Sequence, residues 1–243
     1  MNNFPTICID NFYDNPDEIR NFALTLEFKK NNGNFPGVRS EEICKLNRNL
    51  YNKFCEKLLS IFYNFTNEYV EWNIDTRFQK IYPYSKDKNS LLNSGWYHMD
   101  SDSTIAAGVI YLNPESNLDS GTTIGRLKNI ETAFQDYFWR DSFYRSKLPE
   151  IEFNTDKDIF PKCENAPDLN IYQHEMLIHN SKFEKTLEFK NVYNRLVMYD
   201  GEYFHRESNF FANEYEPRLT QVFFINAIPK NKKPIERMKD VQI

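Results

Sequence analysis

The feature that most constrains the fold is a change of hydrophobic pattern near residue 71. Before it, apolar residues recur at helical spacing, and after it come short runs rich in β-branched and aromatic residues. These runs predict strands at residues 75–84, 104–112, 121–127, 171–178, 184–189, 194–200 and 218–226. Helices followed by many strands indicate an α+β domain whose core is a β-sandwich or jelly roll, with the helices packed outside it.

Two helices are predicted ahead of these strands, after a short strand within residues 4–12. Asn15, Pro16 and Glu18 form a start signal for the first helix. Its apolar face comprises Ile19, Phe22, Ala23 and Leu26. The second helix is predicted to open at Ser40, and its apolar face comprises Ile43, Leu46, Leu50, Phe54, Leu58 and Phe62. Among the predicted strands, residues 129–147 are predicted to be helical and 148–170 to form irregular loop.

The composition fits one globular domain over residues 1–243, with the first helices in 1–70 and the strand-rich core in 75–226. Hydrophobic residues make up 40% and aromatic residues 16% of the chain, which excludes a disordered protein. The net charge of −5 disfavours a nucleic-acid partner, since phosphate binding usually requires a basic excess.

The sequence shows neither a secretory signal nor an apolar run of the ~20 residues that a membrane-spanning helix needs. The four cysteines form no CxxC pair and suggest no disulfide framework. We therefore expect reduced thiols and a cytoplasmic protein. Frequent Asn, Lys, Phe and Tyr are typical of a low-GC genome, such as that of a virus whose proteins work in the host cytoplasm.

Two separated segments carry candidate metal ligands, and a third carries a candidate partner for an organic cosubstrate. His98 and Asp100 stand at i and i+2 of an extended segment, so their side chains point to the same side. His205 follows an apolar strand, and Arg218 opens the next one. Two histidines and one carboxylate are the ligand set of non-haem Fe(II) oxygenases. An arginine on a neighbouring strand can form a bidentate pair with a carboxylate of an organic cosubstrate.

This pattern resembles the Fe(II)- and 2-oxoglutarate-dependent dioxygenase superfamily, nearest its prolyl-hydroxylase-like branch. The resemblance covers about residues 75–226, and its motifs are Tyr82-Pro83, His98-Met99-Asp100, Tyr111-Leu112-Asn113, Gly121-Thr122-Thr123, His205 and Arg218. It implies a double-stranded β-helix, a form of jelly roll. It also implies that the iron ligands are His98, Asp100 and His205.

The same resemblance implies the cofactors and the reaction. Arg218 would pair with the C5 carboxylate of 2-oxoglutarate, Tyr111 would support that carboxylate, and Tyr82 would line the cosubstrate pocket. Thr220 faces the same side as Arg218 and would add a hydrogen bond. With O2, and with ascorbate as an accessory reductant, the enzyme would hydroxylate a C–H bond and release succinate and CO2. The substrate would be a protein side chain, such as proline, or a small molecule.

Two segments depart from a compact member of this superfamily. The long interval between Asp100 and His205 indicates an insertion at about residues 128–170, which is either a lid over the substrate or a packed decoration. Residues 35–40 resemble a motif in phage and marine-bacterial members of uncharacterised function. Arg39 in that motif either faces the site or is a surface charge.

Other functions remain open at this point. One is a jelly-roll binding module with a vestigial metal site, and another is a cupin-like metalloenzyme, against which Arg218 argues. His174 and His179 lie at i and i+5 in a predicted strand, whereas a zinc-protease motif needs i and i+4 on a helix. We therefore expect these two histidines to be structural or exposed. The sequence indicates no oligomeric state.

Overall fold

The computed structural model describes residues 3–30, 35–100, 103–129 and 169–239. Its strands are β1 (Ile7–Ile9), β2 (Val38–Arg39), β3 (Asn73–Ile81), β4 (Ala106–Tyr111), β5 (Thr122–Leu127), β6 (Phe183–Phe189), β7 (Leu196–Asp200), β8 (Phe204–Glu207) and β9 (Arg218–Ala227). Its helices are α1 (Pro16–Leu24), α2 (Ile43–Leu46), α3 (Arg48–Leu59), α4 (Leu169–Ser181) and α5 (Pro234–Lys239), with a 3-10 turn at Leu91–Asn93.

The strands form two antiparallel sheets that face each other. The larger sheet has the order β1-β7-β4-β9-β3-β2, and the smaller has the order β6-β5-β8. An isolated antiparallel backbone pair between His98 and His205 extends the smaller sheet beyond β8. Between them lies an apolar cluster in which Ile124 of the smaller sheet meets Val109, Val197 and Val222 of the larger. This α+β arrangement agrees with the predicted jelly-roll class.

The alternation of side chains along β9 separates the main core from the site. Leu219, Phe223 and Ile225 point away from the smaller sheet. They belong to the main core cluster, which lies between the larger sheet and the N-terminal helices. The ring of Phe223 meets the ring of Phe54 of α3 edge-on, with centroids 5.4 Å apart. Arg218 belongs to the opposite set, because successive side chains of a strand point to opposite faces. The helices therefore pack outside the sheets, as predicted.

Most of the predicted elements are found near their predicted positions, and α1 begins at the predicted Pro16. The predicted second helix is divided at Asn47, whose side chain accepts a hydrogen bond from the Leu50 amide and caps α3. Within residues 35–40, Val38 and Arg39 pair with β3. Near the end of the described residues lies α5, in which Arg237 pairs with Glu68 at 2.6 Å.

The strand predicted at residues 171–178 is wrong, since these residues belong to helix α4. The β-branched and aromatic content suggested a strand, but among the described side chains of α4 the buried ones are Met176 and His179, three residues apart. That spacing is helical, so packing prevailed over propensity. The helix predicted at 129–147 and most of the 128–170 insertion lie outside the described residues. Within the described part of the chain, no helix has the length and apolarity needed to cross a membrane.

Candidate metal centre

His98 and His205 lie directly opposite each other on paired backbone segments. The amide of each donates to the carbonyl of the other, and both N···O distances are 2.9 Å. Their ring centroids are 4.4 Å apart. Asp100 lies two residues beyond His98, and its Oδ2 is 3.6 Å from Nε2 of His205. One ligand atom from each of the three residues lies within 4.8 Å of the other two.

Backbone hydrogen bonds orient both imidazoles. Nδ1 of His98 lies 2.8 Å from the Trp96 carbonyl oxygen, and Nδ1 of His205 lies 3.0 Å from that of Tyr203. A carbonyl oxygen can only accept, so each Nδ1 carries the proton and each Nε2 carries the lone pair. This is the tautomer and the type of support that metal-ligating histidines use.

The carboxylate of Asp100 also fits a metal ligand. Its Oδ2 is buried and has no hydrogen-bond partner among the described residues. Leaving a buried anionic oxygen without a donor or a cation costs free energy. Two imidazole nitrogens and a carboxylate oxygen together suit Fe(II) with open coordination positions. The residues present therefore fit the metal that the sequence pattern suggests.

A narrow inner chamber of about 50 Å³ lies between the two sheets, and its lining includes the three candidate ligands together with Arg218. Arg218 is only 1% exposed. Its Nε donates to the Ser120 carbonyl at 2.7 Å, and Nη2 donates to the Gly121 carbonyl at 3.4 Å. No carboxylate of the described residues pairs with it. A buried guanidinium without a counter-ion is costly, so the chamber is suited to an anionic ligand.

The other predicted cosubstrate residues differ in their positions. The Thr220 hydroxyl is buried and has no hydrogen-bond partner within the described part of the chain. The Tyr111 hydroxyl donates to the Thr122 hydroxyl at 2.8 Å, and the Tyr111 ring centroid lies 5.4 Å from Cζ of Arg218. Burial raises the pKa of Tyr111, so its phenol remains neutral. Tyr82 lies just after β3, and none of Tyr82, Tyr111 and Thr220 is among the residues that line the chamber.

The chamber also contains residues that the sequence analysis did not identify. The Tyr199 ring on β7 lies 4.4 Å from the His205 ring, centroid to centroid, and burial raises the pKa of its phenol. Gln79 and Glu207 line the chamber as well. Glu207 stands two residues after His205 and so points to the same side of β8. The i, i+2 spacing from His205 could have identified Glu207 from the sequence. It was missed because β8, which is short and polar, was not predicted as a strand.

An outer cleft of about 560 Å³ continues from the chamber past His98 and Asp100. Its walls include Arg39 and Glu207, which also line the inner chamber. Its apolar lining is Phe35, Pro36, Met99 and Phe224. Of the two sequence-based alternatives for Arg39, the structure therefore favours a position facing the site. His179 is buried and His174 is exposed, as expected for residues outside the metal centre.

Comparison with known proteins relates this chain to others by structure alone. No protein-family model and no curated protein sequence matches it. HygX from Streptomyces hygroscopicus, solved with nickel and 2-oxoglutarate bound, is 9% identical with a TM-score of 0.52, and the match covers 95% of this chain and 85% of that one. This likeness shows a shared mixed α/β fold with antiparallel sheets, in agreement with the predicted jelly-roll class.

Two solved prolyl hydroxylases are also similar. The enzyme from Trichoplax adhaerens, in complex with a hypoxia-inducible-factor peptide, is 13% identical with a TM-score of 0.46, and the match covers 100% of this chain and 89% of that one. The prolyl-4-hydroxylase from Pseudomonas putida is 12% identical with a TM-score of 0.41, and the match covers 91% of both chains.

Proposed function

We propose that this protein is an Fe(II)- and 2-oxoglutarate-dependent dioxygenase that hydroxylates a C–H bond. The observation that carries the proposal is the convergence of His98, Asp100 and His205 in the chamber that also contains the unpaired guanidinium of Arg218. A metal site alone would fit many proteins. A metal site beside a buried cation fits a chelating organic dianion.

The strand order supports a double-stranded β-helix as the frame of this site. From β3 to β9 the chain repeatedly passes between the sheets, with the His98 segment acting as an additional strand beside β8. The larger sheet then contributes β3, β9, β4 and β7, and the smaller contributes the His98 segment, β8, β5 and β6. This topology accounts for ligands that are distant in the chain but adjacent in space.

Each candidate residue has a distinct role in the proposed site. Nε2 of His98, Nε2 of His205 and the Asp100 carboxylate would hold the metal on one face and leave the opposite face for ligands. Fe(II), when bound, would supply O2 activation coupled to oxidative decarboxylation of 2-oxoglutarate to succinate and CO2. Ascorbate would serve as an accessory reductant.

The chamber walls would position the cosubstrate and exclude water. The N–H groups of Arg218 that do not bind backbone carbonyls would pair with the C5 carboxylate of 2-oxoglutarate. The Thr220 hydroxyl would donate to the same ligand, while Tyr111 would support Arg218 through its ring. Tyr82 would contribute only if the segment after β3 moved toward the chamber. Apolar Val109 and Val222 reduce the local polarity and so strengthen these charge interactions.

Succinate release tests this proposal. The purified chain is incubated in air with Fe(II), ascorbate and 2-oxoglutarate, and succinate is quantified against an iron-free reaction. We expect slow turnover by the wild type without added substrate and none by Asp100→Ala. A wild-type rate equal to that of the iron-free reaction would contradict the proposal. If the protein nevertheless bound metal, it would be a binding module with a vestigial site.

A further inference from the structure

Arg39 presents a rigidly held guanidinium to the outer cleft. Its backbone lies opposite Gln79 in the β2–β3 pair, and its Nε donates to Oε1 of Gln79 at 3.1 Å. Its Cζ lies 3.8 Å from the centroid of the Phe35 ring and 5.3 Å from that of the Phe224 ring. Two aromatic faces and one hydrogen bond therefore fix the plane of the guanidinium, which is the arrangement that bidentate recognition of a carboxylate requires.

The charge of Arg39 is not matched by a direct ion pair. Burial lowers its pKa to about 10, so the side chain remains charged at neutral pH. Asp75, the nearby acid on β3, instead binds Arg77 with a shortest distance of 3.0 Å. Asp100 belongs to the metal centre. Within the described part of the chain, the terminal nitrogens of Arg39 have no hydrogen-bond acceptor.

Glu207 brings a charge of opposite sign to the same cleft. It lies on β8 and lines both the inner chamber and the outer cleft. Its Oε2 lies close over Gly95, 2.6 Å from where a Cβ atom would stand on that glycine. Its carboxylate interacts electrostatically with Arg39 and opposes the lowering of that pKa, but no described residue forms a hydrogen bond or a direct ion pair with it. Arg39 and Glu207 interact electrostatically, but neither forms a direct ion pair with a described residue, so the cleft beside the candidate metal offers one cation and one anion to a ligand.

We propose that the outer cleft binds a small zwitterion, namely a free α-amino acid, with its carboxylate on Arg39 and its ammonium group toward Glu207. The apolar lining of Phe35, Pro36, Met99 and Phe224 receives the side chain that is hydroxylated. A residue within a peptide has neither charge at its backbone, so the pattern favours the free amino acid over a protein substrate. This inference rests on the proposed function for its chemistry, but the binding step is independent of turnover.

The test measures binding before activity. Ligand-observed NMR on the zinc-loaded protein with 2-oxoglutarate screens the twenty free L-amino acids, and each one that binds is compared with its amide and its N-acetyl derivative. We expect at least one to bind, and its two derivatives to bind at least tenfold more weakly. Arg39→Gln should weaken binding of the free amino acid at least tenfold and leave weak binding of the amide unchanged. Lys29→Gln, which removes an exposed cation paired with Glu27, should have no effect.

Three results would overturn the inference: no amino acid binds, the amide binds as well as the acid, or Arg39→Gln binds the acid as the wild type does. Its failure is distinguishable from failure of the proposed function. If the wild type releases succinate but binds no free amino acid, the oxygenase assignment stands and the zwitterion inference is wrong. If an amino acid binds through Arg39 but no succinate forms, the site for a zwitterion stands and the oxygenase assignment is wrong.

Discussion

His98 and His205 form a reciprocal hydrogen-bonded pair, in which each backbone amide donates to the other residue's carbonyl oxygen. Directly opposite residues of an antiparallel pair project their side chains on the same face. The two imidazoles therefore meet because the backbones are paired. The remaining ligand, Asp100, follows from the i, i+2 geometry of the first segment. A single backbone pair between two distant segments thus brings all three candidate ligands together.

Removing a ligand should abolish tight metal binding. We expect Asp100→Ala and His205→Ala each to lower Fe(II) or Mn(II) affinity more than a hundredfold, since even loss of a residue that only supports a ligand can cost 10–100-fold. Anaerobic equilibrium dialysis with metal analysis measures this. His174→Ala is the matched control, because it removes an exposed imidazole on α4. Equal affinity of the ligand variants and this control would disprove the assignment.

Shortening Arg218 should weaken 2-oxoglutarate binding. Arg218→Ala removes the buried charge partner, and such losses cost about 2–5 kcal/mol. Thr220→Val keeps the side-chain shape and removes only a hydroxyl, so its cost should be about 1 kcal/mol. Calorimetric titration of the Mn(II)-loaded protein under anaerobic conditions measures both. An Arg218→Ala affinity equal to that of the wild type would show that the cosubstrate carboxylate binds elsewhere.

Helix α4 should influence the metal centre through the backbone before His98. Nε2 of His179 lies 2.7 Å from the Tyr97 carbonyl oxygen. The Asn180 side chain accepts from the Tyr97 amide at 3.1 Å and donates to the Gly95 carbonyl at 3.1 Å. These three bonds hold the segment that ends in the first ligand.

We therefore expect Asn180→Ala to reduce metal affinity about tenfold. Asn180→Asp keeps the acceptor and loses the donor, so it should have an intermediate effect. Each variant's metal dissociation constant is compared with its melting temperature in the metal-free state. A variant that melts earlier but binds metal with wild-type affinity would show that α4 contributes to stability alone.

Asp200 should contribute to stability by binding the N-terminal segment. This fully buried carboxylate accepts from the amides of Asn3, Phe4 and Glu202, at 2.5, 2.8 and 3.1 Å. Asp200→Ala leaves these donors without their partner, and we expect the free energy of unfolding to fall by about 2–4 kcal/mol. Asp200→Asn retains one acceptor oxygen and should lose less. Urea titration followed by tryptophan fluorescence checks both values, and an unchanged midpoint for Asp200→Ala would contradict this role.

The sequence was most informative where periodicity is local. The alternation along β9 predicted that Arg218 and Thr220 share a face, and the HxD spacing predicted that His98 and Asp100 do too. The strand prediction for α4 was wrong because its β-branched residues are typical of a strand. The buried Met176 and His179 are three residues apart, which is a helical spacing.

The rest of the site depends on which strands are neighbours, and no single sequence states that. Tyr199 lies beside His205 because β7 and β8 belong to opposite sheets that face each other. Arg39 reaches the cleft because the short strand β2 pairs with β3. Both contacts arise from long-range pairing, so they became visible only in the folded chain.

The most direct test is a crystal structure of the protein grown anaerobically with Mn(II) and 2-oxoglutarate, using anomalous scattering to locate the metal. We predict one metal about 2.0–2.2 Å from Nε2 of His98, Nε2 of His205 and an Asp100 oxygen. The C5 carboxylate of 2-oxoglutarate should lie on the Arg218 guanidinium. A metal bound away from these three side chains, or a cosubstrate that leaves Arg218 unpaired, would contradict the account.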